Sequence, residues 1–222
     1  MSKPITVEDV KKLPMVQTFI EIGNEHLGAM GFTEHSYRHA GLVAKIAGNT
    51  LSRLGYPKRD CELAEIAGYM HDMGNVISRY NHGQSSAYMA IQALKDLGMA
   101  WEEIALVAAA VGNHEEQYGH PVNHIAAALI LADKSDVHRS RVRNTDVVNF
   151  DIHDRVNYAA QHSFLRVDSE QRIITLELEI DTEISDVMEY FEIFLTRMIM
   201  CRRAADHLDS SFSLVINESR LL

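Results

Sequence analysis

Cysteine occurs only twice in the 222 residues, at Cys61 and Cys201. Both lie in apolar, helix-like stretches far apart in the chain, so two buried free thiols are expected instead of a bridge, in keeping with a reducing cytosol. Proline is nearly as scarce, with four residues, and no proline- or glycine-rich stretch marks a flexible linker. Long apolar runs are missing too: nowhere do about 18 apolar residues follow one another, so no transmembrane helix is expected. The first 15 residues lack the long apolar core of an export signal. Basic residues are in deficit, 21 Lys and Arg against 31 Asp and Glu, which argues against a general nucleic-acid surface. The expectation is a soluble, cytoplasmic protein with neither membrane nor general nucleic-acid binding.

What is present is the composition of an ordinary globular protein, 46% hydrophobic and 23% charged, long enough for one large domain or one domain with an appendage. Helical spacing dominates the first 140 residues. Residues 1–32 read as one or two lead-in helices. A long helix carrying both His35 and His39 follows, capped near Thr33 or Ser36 and closed by Gly55 and Pro57. Asp60 is expected to cap the next helix, which ends at His71-Asp72 before Gly74. A loop carrying His82, two helices split by Gly98, a polar loop over residues 113–123 and a strongly apolar helix ending in Asp133, Lys134 and Asp136 complete this part. Beyond about residue 143 the pattern changes. Alternation on either side of residues 168–171 reads as a β-hairpin, followed by a long amphipathic helix over residues 184–207 and a short strand at 212–216. The fold class is therefore mainly α with a small C-terminal α+β appendage: lead-in at 1–32, helical domain at 33–143, and an appendage at 144–222 packed on it.

His71-Asp72 centres the chemical reading, because adjacent residues at a helix terminus can both reach one site where the backbone leaves the helix. Alone, such a pair is more often a core histidine satisfied by a carboxylate. The weight comes from the set that accompanies it, His39 before the pair and His82, His114 and Asp133 after it, each at an end or inner face of an expected helix. Four histidines and two aspartates suit hard or borderline divalent metals, and six such groups can give each of two ions several protein ligands. Histidines 153, 162 and 207 lie outside this set and are read as structural.

This order, with His39 in HAGLVAKIA, the pair in AEIAGYMHDMGN, His82 in HGQSSAYMA, His114 in VGNHEE and Asp133 in LILADKSD, resembles the signature of HD-domain metal-dependent phosphohydrolases in their dinuclear form, over roughly residues 33–140. Two branches look closest: bacterial diadenosine tetraphosphate hydrolases, and more distantly HD-GYP phosphodiesterases. The chain departs from both at Asn75, and from the second also at Asn113. The resemblance implies an HD-domain helical bundle holding two divalent ions (Mn, Fe, Ni, Mg or Zn) and hydrolysis of a phosphate ester or anhydride, in a nucleotide, by a metal-activated hydroxide, with Asp72 as bridging ligand and catalytic residue. Lys134, Arg139, Arg143, His35 and Asn75 are the candidate substrate contacts, since guanidinium forks match phosphate oxygens. The hairpin and long helix after residue 160 are expected either to shape the substrate pocket or to form a homodimer interface. Two rival functions share the ligand set: a di-iron oxygenase of the same superfamily, and a non-catalytic nucleotide-binding regulator.

Overall fold

A computed structural model of the chain describes residues 4–144 and 150–221. Residues 145–149, at the start of the expected appendage, lie outside it. Two lead-in helices, α1 (Val7–Val10) and α2 (Pro14–Ala29), precede the long α3 (Tyr37–Arg53). Ser36 caps α3, its hydroxyl accepting from the Arg38 backbone N–H at 3.2 Å. His35 therefore sits ahead of α3 and not on it, a correction to the expected helix start. Gly55, with φ of 84°, takes the left-handed turn that closes this helix.

The next helix, α4 (Lys58–Met70), starts after Pro57, which presets the entry geometry; Asp60 lies inside the first turn and is not the cap. Its axis lies close against α3 because Gly68 has no side chain: a Cβ there would fall 2.7 Å from Ala44 Cα. A short 3-10 turn, Met73–Val76, carries the chain to α5 (His82–Asp96), and α6 (Trp101–Gly112) packs beside it. His82 thus opens a helix, where a loop was expected. The reason is local: Asn81, with φ of 55°, makes the turn without any capping side chain for a sequence reader to see. At the centre runs α7 (His124–Lys134), capped by Asn123, whose side chain accepts from Ala126 N–H at 2.7 Å. Ile125 through Ala132 are all completely buried, because α3, α4, α6 and a C-terminal helix surround it.

The C-terminal part begins with α8 (Ile152–Ala159), a two-turn helix the sequence pattern did not reveal, capped by Asp151. The expected hairpin follows as β1 (Ala160–Asp168) and β2 (Ile173–Ile180), antiparallel. From β2 the chain crosses through α9 (Val187–His207) to β3 (Ser211–Ile216), which pairs with β2 in parallel, and a two-residue β4 (Ser219–Arg220) closes a four-stranded sheet in the order β1-β2-β3-β4. Ile174, Leu176, Leu178 and Ile180 turn one face of β2 inward. The α9 helix lies between this sheet and α7, with Tyr190, Phe194 and Met198 buried along it. Both cysteines are free. Among the described residues no helix is long and apolar enough to cross a membrane.

Candidate metal centre

Helix ends bring the six expected ligands to one place. His39 stands in the first turn of α3, His71 caps the end of α4 with Asp72 next, His82 begins α5, His114 follows the end of α6, and Asp133 is in the last turn of α7. All four imidazoles are buried.

Each ring is fixed through its Nδ1. His71 Nδ1 lies 2.8 Å from the Gly68 carbonyl, His82 Nδ1 is 2.9 Å from the Arg79 carbonyl, and His114 Nδ1 is 2.6 Å from the Val111 carbonyl. His39 Nδ1 lies 2.7 Å from Asp136 Oδ2. Carbonyl and carboxylate oxygens only accept, so each Nδ1 donates and each neutral ring points an Nε2 lone pair inward. These lone pairs face one another: His39 Nε2 and His71 Nε2 at 3.3 Å, His82 Nε2 and His114 Nε2 at 3.1 Å. Opposed lone pairs repel unless a proton or a metal ion lies between them.

Around the first pair, Asp72 Oδ2 stands 3.5 Å from His39 Nε2 and 3.1 Å from His71 Nε2, and Asp133 Oδ1 is 3.4 Å and 3.6 Å from the same atoms. Donors about 2.0–2.2 Å from one divalent ion lie roughly 2.8–3.6 Å from each other, so these four atoms have the spacing of one coordination shell. Around the second pair, the other oxygen of Asp72, Oδ1, is 3.2 Å from His82 Nε2 and 4.0 Å from His114 Nε2. Asp72 thus turns one oxygen to each pair, the arrangement of a bridging carboxylate. Its Oδ2 is buried with no hydrogen-bond partner among the described residues, a costly state that a cation would relieve. These donors fit divalent metal.

The electrostatics agree. Burial works against ionisation of Asp72 and Asp133, yet the imidazoles around Asp72, and Lys134 with His39 and His71 around Asp133, hold both carboxyls well below the usual carboxylate range. Burial likewise opposes charge on His71, but Asp72 and Asp133 overcome it and push that imidazole up to about 10. His114, buried beside His71 and His82, is pushed down to about 3. The acids call for positive charge that one proton per pair answers only in part, whereas a divalent ion satisfies all donors at once.

An outer ring orients the ligands. Asp136 accepts from His39 and from Arg38 Nη2 at 2.9 Å. Asn75 Nδ2 donates to Asp72 Oδ1 at 3.0 Å, which places Asn75 behind that carboxylate. Glu115 accepts from Gly83 N–H at 2.7 Å and lies 3.3 Å from His82 Nδ1; burial notwithstanding, His82 and that N–H hold it down to about 2.

Above Asp72, His82 and Asp133 opens a cleft of roughly 620 Å³. Of the expected substrate contacts, Lys134 and His35 line it. Arg139 and Arg143 are not brought to it: Arg139 lies over the Tyr158 ring, and Arg143 donates to Phe32 and Asn24 carbonyls, tying α2 to the segment after α7. In their place stands Arg141, buried, with Nη1 donating to the Asp136 carbonyl at 2.8 Å. His153, read as structural, lines the cleft from α8 with Asp154 and Asn157, and α9 adds Phe194 and Arg197. Sequence reasoning passed over Asp136, although it stands three residues after Asp133, and Glu115, although it adjoins His114. Arg79 and Arg197 carried no signal, being placed only by the turn before α5 and by the docking of α9.

Residues 32–140 match the family model described as the HD domain. Among curated proteins, the uncharacterized protein MJ1020 of Methanocaldococcus jannaschii is 26% identical, the match covering 61% of this chain and 61% of that protein. The chain thus spans less than two thirds of that relative's length. Among solved structures, a predicted HD superfamily hydrolase from an uncultured Thermotogales bacterium is similar at 22% identity and a TM-score of 0.43, over 60% of this chain and 74% of that one.

Proposed function

We propose, from the match of residues 32–140 to the HD domain model and from the donor geometry, that this chain is a metal-dependent phosphohydrolase that cleaves a phosphate ester or anhydride in a nucleotide, using two divalent ions held by His39, His71, Asp72, His82, His114 and Asp133. The observation that carries this reading is the pair of opposed Nε2 couples with one Asp72 oxygen turned to each. Ions bound there would act as Lewis acids on a phosphoryl oxygen and bring the acidity of a water near neutrality. Residues of the chain do the rest. Asp72 sets the spacing between the two donor groups and, steadied by Asn75, keeps each oxygen aimed. The carbonyls of Gly68, Arg79 and Val111 hold His71, His82 and His114 as neutral donors, and Asp136 does so for His39. Lys134, 2.7 Å from Asp133 Oδ2, keeps that carboxylate's second oxygen occupied, so that Oδ1 faces the donors. The cleft volume suits a nucleotide-sized ligand. A His-rich set accepts Mn, Fe, Ni, Zn or Mg according to supply.

The test is phosphate release from a panel of nucleotides and an aryl phosphate, with added divalent ions, for the wild type and Asp72→Ala. Metal-dependent hydrolysis that the substitution abolishes is the expected result. No hydrolysis under any cation would reject the proposal, and bound iron with oxygen uptake would replace it by an oxygenase.

A further inference from the structure

Cations in the cleft are unequally committed. Lys134 Nζ lies 2.7 Å from Asp133 Oδ2 and 3.2 Å from Glu116 Oε1, and Arg197 Nε is 2.7 Å from the same Glu116 oxygen. Arg141 spends its donors on the Asp136 and Glu34 carbonyls and lies 3.7 Å from Asp136 Oδ2. Arg79 also lines the cleft, yet among the described residues no carboxylate stands within ion-pair distance of it.

Its position is not that of a solvated surface arginine. Arg79 Nη1 is 3.5 Å from His82 Nε2, one of the inward donor atoms. The guanidinium carbon lies 5.5 Å from the centre of the Phe32 ring, itself part of the cleft wall, which gives the fork a flat apolar support. The Arg79 carbonyl accepts from His82 Nδ1 at 2.9 Å, so one residue both fixes the imidazole and brings a cation beside it. A guanidinium this close to a ligand of a divalent ion is repelled by that ion unless an anion lies between them. Charge counting says which anion. Two divalent ions would outweigh the two carboxylates Asp72 and Asp133 among the donors, and Arg79 adds positive charge beside them, which favours the more highly charged anion.

We infer that Arg79 is the phosphate-binding residue of this cleft, its guanidinium fork donating to non-bridging oxygens of the phosphoryl group, and that it biases the site toward a terminal, dianionic phosphate over a singly charged phosphodiester. The inference rests on the metal-dependent hydrolase reading and specifies its substrate class. An arginine fork suits two phosphate oxygens at once, where an ammonium offers a point charge.

Metal-loaded wild type, Arg79→Met and Arg79→Lys test it. Methionine keeps an unbranched stem over Phe32 and removes the charge. Elemental analysis is expected to find the same metal content in all three. Calorimetric affinity for inorganic phosphate falls by about tenfold or more in Arg79→Met, with Arg79→Lys between it and the wild type. The ratio of kcat/KM for p-nitrophenyl phosphate to that for bis(p-nitrophenyl) phosphate falls with it. Unchanged phosphate affinity, or equal losses on both esters, with metal content intact would overturn the inference and leave the hydrolase reading in place. A wild type that takes up no metal would remove both. Should Arg79→Met misfold by circular dichroism, Arg79→Gln carries the same comparison.

Discussion

At the residue scale, the decisive feature is which nitrogen of each histidine carries the proton. Three backbone carbonyls and one carboxylate fix all four Nδ1 atoms as donors, and this selects Nε2 as the inward ligand atom. Asp136 is the one such acceptor that a side-chain substitution can change. In Asp136→Asn the amide can present its NH2 to His39 Nδ1 and invert the tautomer, and the buried Arg141 loses a carboxylate neighbour. Metal affinity at the His39 end is expected to fall by about 10–100-fold, read by competition with a chromophoric chelator; unchanged affinity would deny Asp136 its orienting role. That these six side chains would meet in one place was legible in the sequence, because histidines and aspartates stood at or near the ends of expected helices in this order. The cations were not. Arg141 and not Arg139 reaches the cleft because successive side chains of the 3-10 turn at Arg139–Arg141 leave it about 120° apart, while Arg143 lies beyond that turn and is held by the Phe32 and Asn24 carbonyls; spacing alone does not resolve a turn that short.

At the scale of elements, helical periodicity exposed α3 to α7 and α9, whose apolar stripes are long, but it missed α8, which has only two turns. The consequence reaches the site, since His153, Asp154 and Asn157 come to the cleft on that helix. Close approach of α3 and α4 depends on Gly68. Gly68→Ala would force a Cβ to within 2.7 Å of Ala44 Cα and 2.8 Å of Ala44 N, backbone atoms that have nowhere to move. Overpacking of this kind costs about 1–3 kcal/mol, which a urea titration would show as a lower midpoint; an unchanged midpoint would mean the helices separate freely. A second element contact, α8 to α9, has a pH signature. Hydrogen bonds from Arg155 and then Ser185 hold the Glu189 carboxyl down to about 2. Because the native value is depressed, the contact contributes stability above the unfolded value of about 4.3 and loses it as pH falls through the native value. The effect is small for so exposed a pair. Glu189→Gln should therefore flatten the stability-versus-pH curve between about pH 4.3 and 2 and leave its slope unchanged above that range, at a slightly lower stability; an unchanged slope between these values would rule out the contact.

At the scale of the whole molecule, a helix buried on every side, α7, ends at the His/Asp cluster, and α9 packs on it from the C-terminal part, so the cleft has walls from both. The change of sequence pattern near residue 143 announced strands and a further helix but could not say that α8 and α9 would complete the cleft, because that depends on docking between distant segments. Candidate ligands drawn from five helices would also tie bound metal to global stability. Adding a divalent ion to chelator-treated protein should raise Tm in a concentration-dependent way, since an ion that binds only the folded state shifts the equilibrium toward it. A Tm indifferent to metal would argue that the donors hold none.

The most direct measurement is an anomalous-difference map from a crystal of Mn-loaded protein. Two peaks are expected, one between His39 and His71 and one between His82 and His114, with Asp72 touching both. A single peak away from these pairs, or none at any Mn concentration, would contradict the dinuclear centre.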